Sequence, residues 1–222
     1  VEIGMPYGIG VNTADDMLSE TEAIHLLHAS LDSGINFFDT ARQYGKSESI
    51  IGKAFRKKRE QVVLTTKCKH LREKDGLLPS PAVLKDSLES SLAESLRALQ
   101  TDYVDLYMLH DSDKEILECE EVLQFFERIK RSGAVRATGV STYTPEGTKE
   151  VIASKNWDVI QVPFNLMDQR QEVFFPVAAQ HDIGIVIRSV LLKGLLSEKG
   201  KVLHPALNSV ESHIRLYDDL VK

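Results

Sequence analysis

Val104-Asp105-Leu106-Tyr107-Met108-Leu109-His110 is a short run of β-branched, aromatic and other apolar residues that ends in an ionisable side chain. A run of this length and composition predicts a buried strand. Two earlier runs have the same form: Ile35-Asn36-Phe37-Phe38 is followed by Asp39, and Val62-Val63-Leu64-Thr65-Thr66 by Lys67. Three more strands are predicted at residues 135–140, 159–162 and 183–187. Helical periodicity fills the stretches between them, and such βαβα alternation predicts a parallel sheet.

The helices carry start signals. Ser19-Glu20-Thr21-Glu22 reads as a capping box, while Ser80-Pro81 and Thr144-Pro145 each set a capping hydroxyl before a first-turn proline. Helices are therefore predicted to begin near residues 20, 81 and 145. In the second of these, Leu84, Leu88, Leu92, Leu96 and Leu99 share one face, which reads as core packing. No repeat, low-complexity tract or linker divides the chain, so residues 1–222 are expected to form a single domain.

Composition removes several function classes. The 222 residues carry 27 Lys and Arg against 33 Asp and Glu, a net charge of −6, and 42% are hydrophobic, which excludes disorder. Without a basic block there is no electrostatic ground for a nucleic-acid or anionic-membrane partner. The richest apolar stretch, residues 183–196, is broken by Arg188 and Lys193 and falls short of a membrane span. Cys68 and Cys119 suit neither a disulfide framework nor a zinc site. His25, His28, His70, His181, His204 and His213 show no metal-ligand spacing. A reducing, cytoplasmic setting is the expectation.

Periodicity alone fits a doubly wound open sheet and a (β/α)₈ barrel equally well. The chain has no Gly-x-Gly-x-x-Gly and no Gly-x₄-Gly-Lys-Ser/Thr motif, and Gly8-Ile9-Gly10 reads as a tight turn. In a parallel barrel all C-terminal strand ends open on one face, where active sites are built. Asp39, Lys67 and His110 would meet there, and Tyr44, in the loop leaving the first of these strands, can lean over the same face. A phenol, with an ordinary pKa of about 10, exchanges protons poorly at neutral pH unless a nearby cation favours the phenolate. Lys67 can supply that cation, with Asp39 keeping it charged and fixed. His110 would then orient a carbonyl oxygen or assist the proton's passage.

Seven segments carry a family resemblance: Gly34-Ile35-Asn36-Phe37-Phe38-Asp39-Thr40-Ala41, Tyr44-Gly45-Lys46-Ser47-Glu48, Ile51-Gly52, Leu64-Thr65-Thr66-Lys67, Tyr103 to His110, Gly139-Val140-Ser141 and Gln161-Val162-Pro163-Phe164-Asn165. With Arg188-Ser189-Val190-Leu191-Leu192-Lys193-Gly194-Leu195-Leu196 added, nearly the whole chain resembles the aldo-keto reductase family. The resemblance implies an α/β fold, a (β/α)₈ TIM barrel that is incomplete in this chain. It also implies reversible hydride transfer between a nicotinamide cofactor, NADP(H) before NAD(H), and a small carbonyl or alcohol substrate, with no metal. Asp39, Tyr44, Lys67 and His110 match the catalytic tetrad, with Tyr44 the general acid in reduction. Ser141 and Gln161 match positions that hydrogen-bond the nicotinamide carboxamide, and the segment from Ser189 to Gly194 resembles the loop along the pyrophosphate. Thr142, Ser189, Leu191 and Gly194 thus join the expected cofactor-binding residues. Thr142 stands where many members have Asn, and Val190 where many have Pro. For Asn165 and Asp105 a structural hydrogen-bonding role stands beside a functional one.

Measured against the family pattern, only Val1-Glu2-Ile3-Gly4 precedes Met5-Pro6-Tyr7-Gly8, so the first strand is cut short. Residues 209–222 read as the opening of the seventh helix, with no eighth strand after it. Strands one and eight adjoin in a closed barrel, so both losses fall in one gap and leave the second and seventh strands with unpaired apolar edges. A portion of a longer polypeptide, or a truncated form with weakened cofactor binding, is the expectation. The eighth unit would carry the pocket for the adenosine 2′-phosphate, so the choice of NADP or NAD stays open. Two other readings are a non-catalytic, cofactor-binding or regulatory relative, and a Schiff-base barrel with Lys67 as nucleophile, which Asp39 opposes by stabilising the ammonium. Substrate identity depends on loops over the barrel mouth, Tyr7 among them, and the oligomeric state is open.

Overall fold

Six strands, β1 (Phe37–Asp39), β2 (Val63–Lys67), β3 (Val104–Leu109), β4 (Val135–Ser141), β5 (Val159–Pro163) and β6 (Gly184–Arg188), form one sheet in sequence order with every pair parallel. The computed structural model describes residues 3–201 and 207–218. Val1 and Glu2 of the expected short first strand, and His204, lie outside the described residues. Each strand begins and ends within two residues of the run that predicts it. Ile3 and Gly4 form a turn, not a strand.

Parallel neighbours need crossover connections, and helices supply them: α1 (Glu20–Asp32), α2 (Ser47–Phe55), α3 (Pro81–Leu99), α4 (Lys114–Glu118), α5 (Glu120–Arg131), α6 (Pro145–Ser154), α7 (Phe175–Gln180) and α8 (Asn208–Asp218). Two of the three predicted caps form. Ser19 Oγ accepts from the Glu22 N–H while Glu22 Oε2 accepts from the Ser19 N–H at 2.9 Å, and Thr144 Oγ1 accepts from the Gly147 N–H at 3.1 Å. Ser80 departs from expectation, its hydroxyl making no cap bond. Pro81, at the first helical position, has no N–H to satisfy, and the Ser80 carbonyl accepts from the Leu84 N–H at 2.8 Å.

β3 is buried along its whole length. Leu84, Leu88, Leu92 and Leu99 of α3 are buried beside it, and Leu96 packs against the same core. Among the described residues, no strand pairs with the outer side of β1 or of β6, and Ile35 and Phe37 at the first of these edges are exposed. No helix among the described residues is long and apolar enough to cross a membrane.

Asp105, near the N-terminal end of β3, fastens the sheet. Its Oδ2 accepts from the Leu64 N–H at 2.9 Å and from Arg59 Nη2 at 2.7 Å, and its Oδ1 from Arg136 Nη1 at 2.9 Å. One carboxylate thereby joins β2, β3 and β4 at the end opposite His110. Removing one partner of such a buried pair strands the other charge, so Asp105→Ala is expected to lower stability by about 3–5 kcal/mol. Urea denaturation measures the loss, and a change below about 1 kcal/mol contradicts this role.

Candidate active site

The C-terminal ends of the strands bring the ionisable residues of the sequence together. Thr40 N–H donates to the Thr65 carbonyl at 2.8 Å and Arg42 N–H to the Lys67 carbonyl at 3.1 Å, so the chain leaving β1 stays paired with β2 beyond Asp39. It then turns: the Tyr44 N–H donates to Ala41 O and the Ser47 N–H to Tyr44 O, which fixes Tyr44 at the start of α2. The turn needs glycine beside it. Gly45 has φ +57°, and a Cβ there would stand 2.4 Å from the Gly4 carbonyl oxygen, whose own partner is the Lys46 N–H.

Lys67 is 1% exposed. Its ammonium donates to both Asp39 oxygens, at 2.7 and 2.9 Å, and to the Thr40 carbonyl at 2.9 Å. The same nitrogen lies 5.3 Å from the centre of the Tyr44 ring. The Tyr44 and His110 rings meet edge to face with centroids 5.4 Å apart. Behind them Glu48 is buried with a partner on each oxygen, accepting from Thr66 Oγ1 at 2.7 Å and pairing with Arg42.

These groups border a cavity of about 820 Å³. Asp39, Tyr44, His110, Ser141, Gln161 and Ser189 line it, and Lys67 sits beneath, reached through Asp39. Gln161 is 1% exposed, and neither atom of its amide has a hydrogen-bond partner among the described residues. A buried donor and acceptor left free side by side suit a ligand that is itself a carboxamide, so the residues present fit a nicotinamide. Among the described residues no cluster of three His, Cys, Asp or Glu could hold a metal ion.

Three expected cofactor contacts stand off the cavity wall. The Thr142 hydroxyl pairs with Thr148 of α6 at 2.8 Å and its carbonyl accepts from Arg188 at 2.9 Å. Leu191 is exposed, turned outward where Ser189, Leu192 and Lys193 take left-handed backbone, and Gly194 continues that turn. Asn165 Oδ1 accepts from the N–H groups of Met167 and Asp168, which shapes the turn after β5. The cavity also holds Tyr7, from the loop expected over the mouth, and residues not named individually as site residues in the sequence. Arg188 lies over Tyr143, Lys193 faces Tyr7 across the mouth, and His70 stacks on His110. Their signal was position: Arg188 ends β6, and His70, Tyr143 and Lys193 fall in loops that follow strands.

The sequence model of the aldo/keto reductase family matches residues 6–214. The chain belongs to the aldo-keto reductase family. An uncharacterised oxidoreductase of Bacillus subtilis, YqkF, is 35% identical over 187 residues, 81% of this chain and 59% of that protein. The NADH-specific methylglyoxal reductase of Escherichia coli is 31% identical over 178 residues, 74% of this chain and 55% of that protein. The holo form of the aldo-keto reductase AKR11C1 from Bacillus halodurans superposes with a TM-score of 0.70 at 33% identity, covering 84% of this chain and 62% of that one. An aldo-keto reductase of Klebsiella pneumoniae solved with NADPH gives 0.66 at 25%, covering 86% and 65%. The chain therefore spans a little over half the length of the curated relatives named here, and its six-stranded sheet is an incomplete (β/α)₈ barrel.

His110 is the titrating group with the clearest signature. Burial, then the charges of Lys67 and His70, pull its pKa from 6.5 down to about 4. Between those values the unfolded chain binds a proton that the native ring does not, so stability rises with pH across this window and is lost as pH falls through it. His110 is expected to remove on the order of 3 kcal/mol between pH 7 and pH 4, and His110→Phe to flatten that slope. Urea denaturation at several pH values checks it, and the same slope in both proteins contradicts it.

Proposed function

We propose that this chain interconverts a small carbonyl compound and its alcohol using NADP(H), with Tyr44 as the general acid and base. One arrangement supports the reading: a buried Lys67 pinned by Asp39 and Thr40, 5.3 Å from the Tyr44 ring, on a cavity that also contains His110 and the unpartnered amide of Gln161. The names of the relatives agree with it, one being a reductase specific for NADH and another having been solved with NADPH. NAD(H) suits the same nicotinamide-facing residues.

Ser141 and Gln161 would hold the carboxamide, and Ser189, with Thr142, Leu191 and Gly194 in the flanking segments, would serve the rest of the cofactor. When bound, the reduced nicotinamide supplies a hydride to the carbonyl carbon. Everything else is work for the chain. Tyr44 gives its phenolic proton to the carbonyl oxygen, and Lys67 stabilises the phenolate that remains. Asp39 holds the ammonium in place. His110, neutral because of its burial, donates a hydrogen bond that orients the carbonyl. Phe37, Val186 and Ile187 give the cavity an apolar side that limits water.

Tyr44→Phe is expected to lower kcat for NADPH-dependent aldehyde reduction by about a thousandfold, with cofactor affinity by fluorescence titration unchanged. Retained turnover in that variant contradicts the role of Tyr44. Cofactor binding by the wild-type chain without turnover of any aldehyde replaces the reading with a non-catalytic, cofactor-binding module.

A further inference from the structure

We propose that His70 is a specificity-determining residue of this site, acting beside His110 to bind carbonyl compounds that carry a hydroxyl on the adjacent carbon. The inference rests on the reading of Tyr44 and His110 above and extends it to the substrate. His70 lies three residues past Lys67, in the loop between β2 and α3. Its ring stacks on that of His110 with centroids 4.7 Å apart and 17° between the planes, and both line the cavity.

This stack is held from several sides. His70 Nδ1 lies 2.8 Å from Asp111 Oδ1. Two residues on, Arg72 donates to Asp113 through Nε at 2.8 Å and to the Gly76 carbonyl through Nη1 at 2.8 Å. Asp113 is in turn the N-cap of α4, accepting from the Ile116 N–H at 3.1 Å. The loop that carries His70 is therefore tied to the loop that follows His110.

Each ring keeps one nitrogen for a substrate. Asp111 occupies the Nδ1 side of His70, and Nδ1 of His110 is buried without a partner among the described residues, which leaves Nε2 on both. Nε2 of a neutral imidazole accepts when the ring proton sits on Nδ1 and donates when it sits on Nε2, and in the protonated ring it donates. A hydroxyl answers either state, because it is both donor and acceptor. A methyl group in its place would strip water from Nε2 and return nothing. The two oxygens of a hydroxycarbonyl compound lie about 3 Å apart from bond lengths alone, and two nearly parallel rings 4.7 Å apart can hold one each. In turnover the carbonyl carbon gains the hydride, its oxygen gains the Tyr44 proton, and the neighbouring hydroxyl is untouched. The products are a vicinal diol and the oxidised nicotinamide.

Hydroxyacetone and butan-2-one differ by an O–H in place of a CH₃ and test the idea. The wild-type chain is expected to favour hydroxyacetone in kcat/KM. His70→Phe keeps a stacked ring without nitrogens and should cut that preference about tenfold to a hundredfold. In ¹H–¹⁵N spectra of the histidine rings, hydroxyacetone should shift Nε2 of His70 and butan-2-one should not. A preference unchanged in His70→Phe, or a His70 ring that hydroxyacetone does not move, overturns the proposal. If neither ketone is turned over, the ring spectra decide, and the failure counts against Tyr44 as the acid and not against His70.

Discussion

A charged ammonium with almost no access to water governs the working end of this molecule. Burying Lys67 would cost several kcal/mol if it were left alone, so it must be surrounded by acceptors, and Asp39 and the Thr40 carbonyl are those acceptors. Meeting that need holds the end of β1 against the end of β2. The chain leaving β1 has to cross above Lys67, which the pairing of Thr40 with Thr65 and of Arg42 with Lys67 enforces, and Tyr44 is delivered beside the cation as a result. Electrostatic necessity and catalytic geometry are satisfied by the same contacts.

The two ends of the sheet use carboxylates differently. Asp105 accepts three hydrogen bonds, from Arg59, Arg136 and a backbone N–H, at the strand end away from the cavity. Asp39 accepts from the Lys67 ammonium and borders the cavity. Between these extremes Glu48 is buried like a structural group, yet it braces Thr66 and Arg42 directly behind the site. A partly buried acid therefore has to be judged by what its other lone pairs meet, and here the ends of the strands separate fastening from chemistry.

Much of this was legible in the sequence because it depends on short periodic runs. The six strands, the leucine stripe of α3 and the caps at Ser19 and Thr144 each follow from local pattern. So does the meeting of Asp39, Lys67 and His110, since strand ends in a parallel sheet share a face. What local pattern could not give was the path of the loops. The Thr142 hydroxyl turns to Thr148, and a run of left-handed residues throws Leu191 outward. His70 reads as one histidine among several until Arg72 and Asp113 tie its loop down. The Ser80 hydroxyl makes no cap bond, although the same hydroxyl-proline signal at Thr144 does.

The account stands on the effect of the Lys67 ammonium upon the Tyr44 phenol, and ultraviolet difference titration of the tyrosines measures that effect without cofactor or substrate. Of the six tyrosines in the chain, one should ionise well below the ordinary phenol value of about 10, and that component should vanish both in Tyr44→Phe and in Lys67→Met. If wild type and Lys67→Met give superimposable curves, with no tyrosine ionising early, the central interaction is absent.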